Sequence, residues 1–176
     1  MMHRLRPLSA NPDVTDELSE VEPAEQAASP KSGLSPRNHA MNWLARREHS
    51  LAELRTKLAA REFSPEAIEN TVAGLVADGL ASDDRFAEAF VAARIRKGQG
   101  PVRIRRDLRQ RGVDAELIQL HLEESGADWR SLAETVRHKK FGAKIPAEYK
   151  EKARQMRFLE YRGFTGEQIR AALDND

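Results

Sequence analysis

From Leu54 onward the apolar positions of the chain form a pattern that is written three times. The first copy is Leu54-x3-Leu58-x4-Phe63-Ser64-x3-Ile68-x3-Val72. The second is Ile104-x3-Leu108-x4-Val113-Asp114-x3-Ile118-x3-Leu122, and the third is Gln155-x3-Leu159-x4-Phe164-Thr165-x3-Ile169-x3-Leu173. They superpose without gaps at offsets of 50 and then 51 residues, which is an internal repeat. Only Gln155 breaks the apolar set, and Met156 beside it is expected to take its place in the core. Apolar residues four apart on both sides of a short polar break predict a helix, a tight turn and a second helix.

The polar positions between the stripes carry the start and stop signals. Ser64, Asp114 and Thr165 fall where a helix wants an N-cap acceptor. Pro65 suits the first helical position, and Glu66, Glu116 and Glu167 place an acid in the positively polarised first turn. The preceding helix ends at Gly112 or Gly163 in two copies, the usual left-handed C-cap residue, and at Glu62 in the first. Arg61, Arg111 and Arg162 stand just before that turn, where a cation favours the helix C-terminus.

A further helix precedes each pair. Arg37–Arg47 leads to Ser50, which with Glu53 forms a capping box. Ser82-Asp83-Asp84 opens a helix through Arg96, closed by Gly98-Gln99-Gly100, with Pro101 starting the next. Asp128 opens one to Lys140, followed by Phe141-Gly142 and a restart at Pro146. The predicted fold is all-α: three tandem three-helix, helix–turn–helix-like repeats over residues 37–81, 82–126 and 127–176. Such small units need neighbours to complete their cores, so an elongated array is expected.

Composition sharpens the boundary at the N-terminus. Residues 1–36 hold five of the eight prolines, many Ser and Ala, and no aromatic residue, which predicts a disordered acidic, proline-rich tail. Of 29 basic and 28 acidic residues, this segment has three and six, so the remaining chain has 26 and 22. The absence of cysteine rules out disulfides, thiolate metal sites and a cysteine nucleophile. No apolar run approaches the roughly 18 residues needed to span a bilayer. With no secretion-like start either, a cytoplasmic protein is expected.

Candidate chemistry is confined to charge. Residues 94–111 carry eight cations against one acid, Asp107. At about 100° per residue, Ile104 and Leu108 turn inward, while Arg105, Arg106 and Arg109 share the opposite side. In the third unit Lys150, Arg154, Arg157 and Tyr161 share a face opposite Leu159. Arg103 and Arg106 align with Arg154 and Arg157 in the repeat register, where the first unit has Glu53 and Thr56. A stripe of cations with so few acids suggests an anionic partner, either a phosphate backbone or an acidic protein surface. Asp83 and Asp84 read as helix-capping carboxylates, and Phe86, Phe90 and Trp43 as core. Gly98-Gln99-Gly100 lacks the strand context of a dinucleotide loop. The five histidines show no ligand spacing and no Ser–His–acid set. No catalytic residue, metal ligand or cofactor is expected, and hence no enzyme.

Four segments resemble the RecX family. They are Leu44-Ala45-Arg46-Arg47-x2-Ser50-x2-Glu53-Leu54-x2-Lys57-Leu58, Asp83-Asp84-Arg85-Phe86-Ala87, Lys97-Gly98-Gln99-Gly100-Pro101-x2-Ile104-x3-Leu108-x2-Arg111-Gly112-Val113, and Arg157-Phe158-Leu159-x2-Arg162-Gly163-Phe164-x4-Ile169. Glu62 departs from the pattern, standing where a glycine is common. The resemblance implies a monomeric regulator lying in the groove of the RecA–single-stranded DNA filament. There it would hinder filament extension, ATP hydrolysis and strand exchange, and so modulate recombination and DNA repair. The alternative is a stand-alone DNA-binding protein using its basic faces on single- or double-stranded DNA. Major-groove readers usually place Asn, Gln and Arg on the second helix of the motif, whereas here those helices are acidic or neutral.

Overall fold

The computed structural model describes residues 33–174. Ser35–Asp176 forms one compact unit, and among the described residues every regular element is an α-helix. The first module contains α1 (Pro36–Leu44), α2 (Leu51–Ala59) and α3 (Pro65–Ala77). The second contains α4 (Asp83–Arg96), α5 (Pro101–Gln110) and α6 (Ala115–Glu124), and the third α7 (Trp129–Phe141), α8 (Tyr149–Arg162) and α9 (Gly166–Leu173). The tail expected over 1–36 lies outside the described residues as far as residue 32. Its last residue, Pro36, already opens α1, which Ser35 caps by accepting from Asn38 N.

Local signals account for most of the helix starts. Ser50, Ser64, Ser82, Asp114, Asp128 and Thr165 each accept a backbone N–H of the following turn. The box between Ser50 and Glu53 is closed in both directions. Two boundaries differ from expectation. α1 stops at Leu44, because Arg46 N and Arg47 N both turn back to the Trp43 carbonyl. α8 begins at Tyr149 rather than at Pro146. The carbonyls of Gly142, Ala143 and Lys144 are held instead by the Arg137 guanidinium.

Each module closes its own apolar core with the repeated stripe. Leu54, Leu58, Ile68, Val72 and Leu75 meet Trp43 in the first, and Ile104, Leu108, Ile118 and Leu122 meet Phe86 and Val91 in the second. Leu159, Phe164, Ile169 and Leu173 fill the third around Ala133. The third core differs from expectation at the broken apolar position. Gln155 is itself buried, at 3% exposure, and Met156 packs only at the margin. The reason is Arg137, 1% exposed, whose Nη1 lies 3.5 Å from Gln155 Oε1. A buried guanidinium must find acceptors, and an amide oxygen at this position supplies one where an apolar side chain could not.

Candidate nucleic-acid and protein interface

The cations of α5 sit in three settings. Arg106 is 62% exposed and reaches Asp107 Oδ1 at 3.2 Å, and Arg109 is exposed. Arg105 turns aside and donates to Gln119 Oε1 on α6, so the expected stripe of Arg105, Arg106 and Arg109 is narrowed to the last two. A flexible guanidinium four bonds from the backbone takes a neighbouring helix's amide when one lies in reach. Arg103 turns toward the third module and is only 22% exposed. Its Nε stands 3.9 Å from Asp107, and its Cζ 5.2 Å from the centre of the Tyr161 ring.

On α8, Lys150, Arg154, Arg157 and Tyr161 are all exposed. Arg154 pairs with Glu151 at 3.4 Å and lies over the Phe141 ring at 5.4 Å. The Arg103–Tyr161 stack therefore joins the basic face of α5 to that of α8 across a module boundary. Lys150 is the outlier, three turns and about 16 Å of helix axis from Tyr161.

Two junctions fix how the modules meet. In the first, the Ser50 hydroxyl accepts from Glu53 N at 3.0 Å and donates to the Arg111 carbonyl at 2.7 Å. Asp83 does not cap its own helix, which Ser82 serves; its Oδ1 accepts Leu51 N at 2.8 Å and so caps α2 of the preceding module. Glu53 gathers Arg111 Nε at 3.2 Å, Arg47 Nη1 at 3.3 Å and His49 Nδ1 at 3.2 Å. Burial pushes the Glu53 carboxyl up, but the His49 hydrogen bond and the charges of Arg47 and Arg111 outweigh it and hold the group below its ordinary value. Arg85 pairs with Glu48 at 3.0 Å across the same boundary.

In the second junction the main chain does the joining. Gly100 N donates to the Arg162 carbonyl at 2.9 Å, and Val102 N to the Gly163 carbonyl at 3.0 Å. Arg162 Nη1 donates to the Lys97 carbonyl at 3.2 Å. Two of the shared arginines, expected to stabilise their own helix ends, also bridge modules. Arg111 reaches both Asp107 O at 3.2 Å and Glu53 of the first module, and Arg162 reaches the Lys97 carbonyl of the second.

Beside the second junction, α4, α7 and α8 meet around a cleft of about 280 Å³. Arg96, Lys97, Lys139, Lys140 and Arg162 line it, and no carboxylate of the described residues does. Lys139, Lys140 and Arg162 share no face of one helix, so helical periodicity does not group them with Arg96 and Lys97. In the repeat register Glu48 and Glu53 of the first module are replaced by Gly98 and Arg103 in the second. Asp84 pairs with His121 at 2.9 Å. Among the described residues no group of three or more His, Asp or Glu could hold a metal ion. No helix among them is long and apolar enough to cross a membrane.

Comparison with known proteins bears on the same modules. The model described as the first three-helix domain of RecX matches residues 37–75, the second 82–122 and the third 129–173. A chain named Regulatory protein RecX from Halorhodospira halophila is 47% identical over 136 residues, spanning 77% of this chain and 84% of its own. One of the same name from Pseudomonas fluorescens is 44% identical over 137 residues, spanning 78% and 88%. The crystal structure of RecX from Lactobacillus salivarius superposes with a TM-score of 0.66 at 19% identity, over 78% of this chain and 91% of that one, a likeness of fold. With three domain models matched in order and relatives this similar over most of its length, the chain belongs to the RecX family of regulatory proteins.

Proposed function

We propose that the protein regulates homologous recombination and DNA repair by binding the RecA–single-stranded DNA filament and inhibiting its extension, ATPase and strand exchange. The reading is of a non-enzymatic, monomeric, cytoplasmic protein without metal or cofactor. The observation that carries the choice of surface is the Arg103–Tyr161 stack, which makes one basic face of two. Arg106, Arg109, Arg154 and Arg157 are the exposed cations of that face, with Lys150 at its end. Arg103, Arg105 and Tyr161 support it from within: Arg103 stacks on Tyr161, and Arg105 anchors to Gln119. Cations crowded in this way favour association with an anionic assembly and raise its rate of encounter.

The test is the DNA-dependent ATPase of the cognate recombinase, titrated with the protein. Reversing Arg106, Arg109, Arg154 and Arg157 to Glu should leave the helical spectrum and melting point near wild type, because all four side chains face solvent. Inhibition should fall at least tenfold. A folded variant that inhibits fully would remove this face as the working surface. Binding to naked DNA separates the filament reading from stand-alone DNA binding. Phosphate contacts give a salt slope of about 0.7–0.9 per contact, which the reversals would flatten. A protein that needs the preformed filament binds naked DNA weakly from the start.

A further inference from the structure

The second module leaves a groove of about 430 Å³ between α4 and α6, two helices that carry none of the proposed basic face. Val91, Ala92 and Ile95 give it an apolar lining, and the exposed Glu88 and Glu124 line it as well. About 10 Å of helix axis, two turns, separates Glu88 from Ile95. Among the described residues no lysine or arginine lines the groove. Asp84 is taken by His121 Nε2 at 2.9 Å, and His121 Nδ1 stands 3.8 Å from Glu124 Oε2. Glu88 makes no ion pair with any described residue.

The repeat makes this combination particular to the second module. Aligned on the buried alanines Ala40, Ala87 and Ala133, Glu88 corresponds to Met41 in α1 and to Glu134 in α7. Glu134 is paired at 3.2 Å by Arg130, one turn before it. In α4 that preceding position holds Asp84, so two acids stand one turn apart, an arrangement that costs a helix stability. Val91 corresponds to Arg137, so in the third module a guanidinium replaces the valine. An apolar strip flanked by carboxylates suits a ligand that brings both cations and aliphatic groups. The same charges repel a phosphate backbone, which argues against nucleic acid as the occupant. We infer that the groove between α4 and α6 docks a short basic segment of a partner protein. Aliphatic side chains of the segment rest on Val91, Ala92 and Ile95, and its Lys or Arg residues meet Glu88 and Glu124. The apolar anchors supply affinity, and the charge pairs supply the choice of partner. The site lies apart from the Arg106–Arg157 face, and its test contains neither DNA nor recombinase, so the two readings fail independently.

The experiment is methyl NMR of the full chain, titrated with a capped hexapeptide of alternating leucine and lysine. A serine–lysine peptide, a leucine–glutamate peptide and spermidine serve as controls. The Val91 and Ile95 methyl signals should shift with the leucine–lysine peptide, with a Kd at least tenfold lower than for any control. Glu88→Gln with Glu124→Gln should weaken that binding at least tenfold and keep the helical spectrum, since both side chains are exposed. Ala92→Arg, which puts a cation of the chain's own in the groove, should block the peptide as well. The proposal is overturned if the methyl signals do not move, or if the serine–lysine peptide or spermidine binds equally, which would mean charge alone. Equal binding of the leucine–glutamate peptide would mean apolar contact alone and overturns it too, as does a folded variant that binds like wild type. Sedimentation of the protein without peptide tests the remaining occupant. Self-association that disappears in the Glu88→Gln, Glu124→Gln variant would give the groove to a second copy and overturn the proposal. Should one variant fail to fold, the other and the wild-type titration with its controls decide.

Discussion

The junction between the first and second modules and the junction between the second and third use the same three parts. These are the N-terminus of a middle helix, the Arg-containing turn that ends the next middle helix, and the residue following that arginine. In the first, a serine hydroxyl meets the Arg111 carbonyl, and Glu53 and Glu48 pair with guanidiniums around it. In the second, Gly100 offers its main-chain N–H to the Arg162 carbonyl. The two backbones then approach so closely that side chains are excluded. A Cβ at Gly100 would fall on the Gly163 carbonyl, and one at Gly163 on Arg103. The closer approach changes what holds the boundary: main-chain hydrogen bonds from Gly100 N and Val102 N stand where the first junction uses a serine hydroxyl and carboxylates. One boundary is stapled by side-chain charges, and the other by backbone.

The largest expected effect breaks the main-chain junction. Gly100→Ala places a methyl 2.5 Å from Phe164 N and onto the Gly163 carbonyl, groups that cannot rotate away. Urea denaturation should show a loss of about 3 kcal/mol, the upper range of overpacking costs. A loss under about 0.5 kcal/mol would mean that the second junction does not hold the modules together.

Next in size is the carboxylate junction. Glu53→Gln removes the ion pairs to Arg111 and Arg47 and should cost about 1–2 kcal/mol, since the group is largely but not wholly withdrawn from water. Its pH dependence follows from the depressed Glu53 carboxyl. The stabilisation is fully present above the ordinary value of 4.5 and is lost as pH falls through the lower folded value. Wild type should therefore lose more stability than Glu53→Gln between neutral pH and strong acid. Parallel acid profiles from thermal melts would show that Glu53 is not the stapling group.

The smallest effect sharpens the comparison at the end of the series. Glu62 occupies the turn position of Gly112 and Gly163, with φ +62, in a conformation that glycine adopts without strain. Ala52 lies 2.6 Å from a Cβ built at Gly112, and Arg103 closer still at Gly163, whereas Glu62 is exposed. Glu62→Gly should raise stability by about 0.5 kcal/mol. The relief of left-handed strain, about 1–2 kcal/mol, is partly offset by the greater freedom of glycine in the unfolded chain. A destabilised Glu62→Gly would show that the Glu62 side chain makes a contact which outweighs the strain.

Much of the fold is legible in the residues because its causes are local. Stripes such as Leu54–Leu58 and Ile118–Leu122 declare their helices through spacing four apart, and Ser64, Asp114 and Thr165 declare the starts through a side-chain oxygen that accepts a backbone N–H within one turn. The basic faces of α5 and α8 are legible for the same reason: a helical face is a property of one segment. Gln155 is misread from sequence because its partner, Arg137, lies on another helix 18 residues away. The choice of Asp83 between its own helix and Leu51, 32 residues distant, is likewise made only when the modules meet.

The sequence by itself therefore determined three modules, their helices, their cores and the sign of their surface charge, since periodicity, capping and charge act over a single turn or stretch. Tertiary structure decided which charges cancel. Glu53 finds Arg111 58 positions away, and Arg162 reaches the Lys97 carbonyl 65 positions away. Lys139 and Lys140 share a cleft with Arg96 only because two close-packed glycine backbones draw the second and third modules together. Coulombic and hydrogen-bonding partners are set by distance in space, and that distance is fixed by packing between modules rather than by any single segment.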